Sequence, residues 1–229
     1  MPSLINSVFI TGTDTEVGKT LYSERLLHSL NAEGIATAAM KPLASGAEVR
    51  AEKLRNADAL ALQQAASTSY PYELCNPYCF EPAIAPHLAA MQAGIRIDTD
   101  VILRAYEQLQ QQADVTVVEG VGGWLVPLDT DQTLAELVQA MELPVVLVVG
   151  MRLGCINHAL LTAENIKQRG VPLLGWVANV MDPNMSHLHE NIESIAQRIQ
   201  APLLDTIDFI NNPDIANPSG RTNIKYLEY

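Results

Sequence analysis

The chain has 229 residues, of which 48% are hydrophobic and 17% charged, a globular composition long enough to bury a sizeable core. A formal net charge of -12 argues against a nucleic-acid backbone as partner, because that affinity is built from clustered lysine and arginine. The longest apolar run, Leu143 to Met151, stops at Arg152 and is too short to cross a bilayer, and Met-Pro-Ser-Leu-Ile-Asn lacks the positive start of a secretion signal, so a cytoplasmic enzyme is expected. Cys75, Cys79 and Cys155 make an odd count with no disulfide framework, and Cys75, Cys79 and His87 lack a fourth partner at a usual zinc spacing.

Ser7 to Thr20 reads as a short apolar strand, Val8 to Ile10, followed by a turn ending in Gly18-Lys19-Thr20. Leu21, Leu26, Leu27 and Leu30 then recur near helical spacing over Lys19 to Ala32. A strand, glycine turn and helix start direct unpaired N–H groups and the positive helix end at one point, which suits a polyphosphate. Lys19 would reach the outer phosphates, and the Thr20 hydroxyl would hold magnesium. The usual motif places four residues between its first glycine and Gly-Lys-Ser/Thr; here Gly12 comes one residue early and Thr13 stands in its place. Glu16, inside the loop, is expected to face a cation or a ribose hydroxyl.

Further along, Ile35 to Met40 is a predicted strand closing on Lys41, and Leu43 to Lys53 a loop. Arg55 to Gln64 reads as a helix with Asp58 on its polar side. Four prolines between Ser67 and Pro86 exclude a long regular element there and suggest a structured excursion that covers something. Pro86 to Ala93 is a short helix, and Asp98 opens a longer one through Leu109. The strand Val115 to Val118 runs into Glu119-Gly-Val-Gly-Gly123, and the helix Asp131 to Met141 precedes the continuous apolar strand Pro144 to Val149. Asn157 to Arg169 is a helix, Leu173 to Val177 a strand, Ser186 to Ile199 a helix and Leu203 to Ile207 a strand, before the polar segment Asn211 to Asn223.

Strands alternating with helices at this interval predict a single α/β domain, residues 1–229, with a doubly wound, mainly parallel sheet and helices on both faces. Ligands bind such sheets beyond the C-terminal strand ends. Thr11 to Thr20, Lys41, Glu119, Gly150 to Asn157 and Asn179 all fall there.

These residues also carry a family resemblance. Gly12-Thr-Asp-Thr-Glu-Val-Gly-Lys-Thr20, Lys41-Pro-Leu-Ala-Ser-Gly46, Leu54-Arg-Asn-Ala-Asp58, Glu119-Gly-Val-Gly-Gly-Trp124, Gly154-Cys-Ile-Asn-His158 and Gly175-Trp-Val-Ala-Asn179 together resemble the dethiobiotin synthetases of bacterial biotin synthesis, over nearly the whole chain. The resemblance implies a P-loop NTPase-type fold and a ligase that converts 7,8-diaminononanoate, CO2 and ATP, with magnesium, to dethiobiotin, ADP and phosphate. It implies Lys19 and Lys41 as catalytic residues and Thr20, Asp58 and Glu119 as metal ligands. For ATP it implies Glu16, Val17, Gly18, Lys19, Thr20, Leu21, Asp58, Glu119, Gly120, Gly122 and Asn179, the last reading adenine, together with Asp208, Phe209 and Ile210. For the substrate it implies Ser45, and for the substrate carboxylate Gly154, Cys155 and Asn157, received across a homodimer interface. Cys155 is then a packed small residue, since the chemistry needs no covalent enzyme intermediate. Asp208 stands where the family more often carries proline. Two other readings stay open: a nucleotide switch akin to the partitioning ATPases, which usually carry a lysine early in the loop where this chain has Thr13-Asp14-Thr15, and another amide or carbamate ligase of the same fold.

Overall fold

The computed structural model describes residues 5–210 and 222–227, so residues 211–221 of the predicted polar C-terminal segment lie outside the described residues. A six-stranded parallel sheet runs through the molecule. Its strands are β1 (Ser7–Gly12), β2 (Thr37–Met40), β7 (Val115–Glu119), β8 (Val145–Met151), β9 (Leu173–Val180) and β10 (Leu203–Ile207), in the order β10-β9-β8-β1-β7-β2. Two small pairs stand outside it: β3 (Leu43–Ala44) with β6 (Tyr78–Cys79), and β4 (Glu48–Arg50) with β5 (Lys53–Arg55). The helices are α1 (Lys19–Ala32), α2 (Ala57–Ala65), α3 (Tyr72–Cys75), α4 (Pro86–Gln92), α5 (Thr99–Gln110), α6 (Leu134–Ala140), α7 (Cys155–Gln168) and α8 (Leu188–Ala196), with a 3-10 turn at Lys225–Leu227. Among the described residues no helix is long and apolar enough to cross a membrane.

Every residue of β1, β7 and β8 is buried, as a sheet covered on both faces requires. Alternation along β1 divides the core. Val8 and Ile10 pack in one cluster with Leu26, Leu27 and Leu30 of α1, while Phe9 belongs to the other with Leu109 of α5 and Leu134 of α6. Phe9 is fully buried, so truncation to alanine would cost about 3–5 kcal/mol. With β7 and β8 hydrogen-bonded on either side of β1, the loop leaving β1 emerges at the middle of the sheet's C-terminal edge.

Several boundaries differ from the sequence reading, each for a local reason. The predicted loop Leu43 to Lys53 contains β3, β4 and the turn into β5, a tight hairpin whose turn residues Ala51 and Glu52 both take positive φ, 47° and 64°. No Asn-Gly pair marks that turn in the sequence. Arg55 ends β5 rather than opening a helix, because Asn56 caps α2: its side chain accepts from the Ala59 N–H. Likewise α6 begins at Leu134, where Thr133 and Glu136 form a reciprocal capping box. Helix α7 starts two residues earlier than predicted, at Cys155, directly after left-handed Gly154, while α8 is shorter at both ends. Strand β9 runs on to Val180, which puts Asn179 inside a strand and beside Ile207 of β10.

Candidate active site

The loop from β1 to α1 explains its displaced glycine. A Cβ on Gly12 would lie 2.6 Å from Val17 Cγ2 and 3.2 Å from Lys19 Cδ, so the chain folds back on Gly12 itself and Thr13 needs no such freedom. Glu16 and Gly18 take positive φ, 58° and 93°, and α1 has no side-chain cap. Tyr22 N–H donates to the Gly18 carbonyl, so the amides of Lys19, Thr20 and Leu21 precede the helical ladder and are free to meet an anion. Lys19 is buried and spans the cleft, its Nζ donating to the Asp14 carbonyl at 2.9 Å and the Gly122 carbonyl at 2.7 Å. Burial, helped by the neighbouring Lys41 charge and opposed by Glu119, lowers the Lys19 pKa to about 8.

Four elements converge beside it. Lys41 follows β2, Glu119 ends β7, Asp58 lies in the first turn of α2 and Thr20 in that of α1. Lys41 Nζ is 2.5 Å from Glu119 Oε1 and 2.9 Å from Asp58 Oδ2, and Thr20 Oγ1 donates to the same Glu119 oxygen at 2.9 Å. Burial disfavours the Lys41 charge, but Glu119 and Asp58 outweigh it and hold the ammonium above its ordinary pKa. Burial would likewise raise Asp58; Lys41 and Thr20 prevail and lower it. Glu119 Oε2 is buried and has no hydrogen-bond partner among the described residues. A hydroxyl and two carboxylates, one of them with an orphaned oxygen, form a hard donor set that fits magnesium.

The proline-rich excursion holds Lys41 in place. Lys41 N–H donates to the Cys75 carbonyl at 2.7 Å, and buried Asn76 Nδ2 donates to the Lys41 carbonyl at 2.6 Å. Tyr72 hydroxyl bridges Asn76 Oδ1 and the Asn56 N–H, while Asn56 Nδ2 reaches the Ser45 carbonyl at 3.3 Å. Burial pushes the Cys75 thiol up to about 12, so it packs as an inert small group.

A cavity of about 860 Å3 opens over these groups. Of the predicted residues it is lined by Glu16, Gly18, Lys19, Thr20, Lys41, Ser45, Asp58, Glu119 and Gly122. It also takes in Asp14 and Thr15 of the predicted loop, Gly123, the end of the proline-rich excursion at Ala83–Pro86, and Asn56, which the sequence reading did not assign. Asn56 could have been found from its position as a helix cap two residues before Asp58; the apolar Ala83–Pro86 wall is the end of the proline-rich excursion expected to cover something.

Other predicted residues lie elsewhere. Val17 turns its side chain into the core, Leu21 is half-buried within α1, and a side chain on Gly120 would press on Phe9 and Leu134. Asn179 is outside the cavity, beneath the phosphate loop: its Nδ2 donates to the Val17 carbonyl at 2.9 Å, and any Cβ on Gly18 would collide with this amide. Asp208, Phe209 and Ile210 follow β10, next to Asn179. Gly154, Cys155 and Asn157, at the start of α7, do not line the cavity, although Arg152 just before them pairs with Asp14, which does; Cys155 is buried and the preceding Leu153 is 97% exposed.

A family model described as an AAA domain matches residues 6–219. The ATP-dependent dethiobiotin synthetase BioD of Pseudomonas paraeruginosa is 53% identical over 87% of this chain and 88% of its own length. That of Aeromonas salmonicida is 45% identical over 98% of this chain and all of its own. Among solved structures, the MinC:MinD cell division protein complex of Aquifex aeolicus is similar with a TM-score of 0.57 and 14% identity, covering 93% of this chain and 85% of that one, a likeness of fold alone.

Proposed function

The chain belongs to the ATP-dependent dethiobiotin synthetase family, and from that premise we propose that it catalyses the magnesium-dependent carboxylation and ring closure of 7,8-diaminononanoate with CO2 and ATP. The observation that carries this reading is the pair of buried lysines, Lys19 on the phosphate loop and Lys41 at the end of β2, lining one cavity with Ser45. A substrate amine captures CO2 as a carbamate with loss of a proton. A carbamate oxygen attacks the γ-phosphorus, the bond to ADP breaks, and a carbamic-phosphoric anhydride forms. The second amine attacks its carbonyl carbon and expels phosphate, closing the cyclic urea.

Two anions meet in the phosphoryl transfer, so fixed positive charge and alignment supply the catalysis. Lys19 with the amides of the first α1 turn holds the outer phosphates, and Lys41 faces the carbamate beside Ser45. Thr20, Asp58 and Glu119 would hold magnesium, which supplies further charge neutralisation to the nucleotide. Asn179 and Asp208–Ile210, on neighbouring strand ends, border the base; Asp208 in place of the proline makes this the least family-like contact. Lys19 and Lys41 align and neutralise the substrates, and no side chain bonds covalently to substrate.

The substrate carboxylate is assigned to the start of α7, Gly154–Asn157, of a second copy in a homodimer. The absence of these residues from the lining of their own chain's cavity and the bare Leu153 side chain support that assignment. Three unpaired cysteines suit a reducing cytoplasm, and the whole chain acts as one P-loop unit.

The test is ADP release with bicarbonate and either diaminononanoate, its methyl ester or shorter diamines, with the cyclic urea identified by mass. Turnover should depend on the full-length acid, since remote binding energy aligns the amines. Equal turnover with simple diamines would indicate another carbamate ligase. ATP hydrolysis indifferent to any diamine would indicate a nucleotide switch.

A further inference from the structure

Lys41 is bound to the same two carboxylates assigned above to the metal. Its Nζ touches Glu119 Oε1 at 2.5 Å and Asp58 Oδ2 at 2.9 Å, and its side chain is only 4% exposed. Lys19 is different: its ammonium is held by two backbone carbonyls, those of Asp14 and Gly122. Glu119 is fully buried, and an uncompensated carboxylate at that depth is costly, so Lys41 offsets a charge that the fold needs for something else. Lys41 occupies one oxygen of each carboxylate, and an ammonium and a divalent cation drawn to the same two carboxylates repel each other at close range, so each weakens the other's hold. Metal entry therefore favours displacement of the ammonium, which stays tethered to the end of β2 and can turn within the cavity.

We propose that Lys41 is the internal counterion of the metal ligands, exchanged for the divalent cation. Metal entry and the turning of the Lys41 ammonium towards Ser45 and the reacting carbamate are then a single event. This deepens the proposed function and rests on its assignment of the metal to Thr20, Asp58 and Glu119. Lysine suits the role better than arginine, since a compact ammonium on a flexible stem can swing without breaking a planar fork of bonds. Before exchange the enzyme presents a neutralised, closed cluster; afterwards it presents a free cation to the substrate. The Glu119 oxygen without a partner is the ligand atom that Lys41 leaves unused.

The test is a titration of the full-length, nucleotide-free protein with Mn2+, a probe that takes the same oxygen ligands, following the free ion by electron paramagnetic resonance. Lys41→Gln should bind Mn2+ about tenfold more tightly than the unmodified protein, and Glu119→Gln should bind it far more weakly. Lys41→Gln should also melt lower without metal and gain more from Mn2+ than the unmodified protein does. Equal or weaker binding by Lys41→Gln, with binding lost in Glu119→Gln, would overturn the exchange and leave the metal assignment standing. Unchanged binding in Glu119→Gln would remove that assignment and the exchange with it. Because Lys41→Gln leaves two carboxylates unopposed and could unfold, a second measurement uses the unmodified chain: acylation of lysines by an amine-reactive reagent, read by mass spectrometry. Labelling of Lys41 should rise when Mn2+ is added. Constant or reduced labelling would sink the proposal.

Discussion

Two helix starts in this molecule share one local design and differ in what surrounds them. Helices α1 and α7 are each 14 residues long, each follows a strand of the central sheet, and each opens on a left-handed glycine, Gly18 at φ 93° and Gly154 at φ 95°, without a side-chain cap. A Cβ on Gly18 would strike the Asn179 amide, whereas one on Gly154 would meet nothing within 4 Å. Lys19, after the first glycine, is buried; Leu153, before the second, is 97% exposed. A strand, glycine and helix suffice to aim amides at an anion. Enclosing that anion, with counter-charges in a water-poor space, takes β7, α2 and the proline-rich excursion. The α1 start has that enclosure within one chain, and the α7 start is completed in our reading by a second.

The largest expected effect lies at the enclosed end. Lys19→Ala should lower kcat by about 10²–10³-fold, the scale for one preorganised charge donor, with the thermal midpoint held because the loop amides and Gly12 remain. ADP release and calorimetry on the same preparation check it; near-normal turnover would divorce the loop from the chemistry. Next comes a matched pair, Gly18→Ala and Gly154→Ala. Both meet the left-handed penalty of about 1–2 kcal/mol, but only Gly18→Ala also forces Asn179 off the loop. Denaturant unfolding should therefore rank Gly18→Ala as the less stable, and ATP binding should weaken in that variant alone. Equal loss of ATP affinity in both would erase the distinction between the two starts.

Leu153→Glu should leave the stability of the isolated chain within about 0.5 kcal/mol, since the side chain touches little. If α7 works across a dimer, sedimentation should report monomers, and turnover should fall by about tenfold as the carboxylate loses its anchor. A fully active monomer would return the carboxylate site to one chain.

The smallest effect concerns the buttress behind the Glu119–Trp124 loop. Trp124 Nε1 and Arg169 Nε both donate to Asn165 Oδ1, and Arg169 also binds Glu136. Burial would raise the Glu136 carboxyl, but Thr133 and Arg169 outweigh it and bring the pKa from 4.5 down to about 2. A depressed carboxyl contributes its full stability above pH 4.5 and loses it as the pH falls towards 2. With Glu136 39% exposed, solvent screening limits the contribution to about 1 kcal/mol. Glu136→Gln should flatten that acid limb of the stability profile and leave ATP turnover at neutral pH unaltered.

Much of the architecture was legible from periodicity. The span Lys19–Ala32 and the strand Leu203–Ile207 match the sequence reading residue for residue, because each carries its own pattern and its own terminator. Boundaries moved where a cap or turn used residues without a distinctive signature, as at Ala51–Glu52 and Asn56. The site was legible in part. Lys19, Lys41, Ser45, Asp58 and Glu119 were each expected at a strand end, loop or helix start, and one cavity unites them. Asn179 lies beneath the phosphate loop, with its amide nitrogen on the Val17 carbonyl. That contact joins residues 162 positions apart, and no local pattern encodes it.

The sequence by itself determined the elements and their polarity: runs buried on both faces, a glycine where the chain must fold back on Val17, and polar groups at the ends of strands. Those are nearest-neighbour properties, set by side-chain volume, backbone freedom and period. Tertiary structure decided which charges meet. Lys41 and Glu119 are 78 residues apart and reach 2.5 Å because β2 and β7 lie side by side in the sheet, a neighbour relation that strand order creates and local composition does not express. It also decided that one helix start would be enclosed and the other left open, since the position of each strand in the sheet, not the residues of its loop, settles how many other elements can close over it.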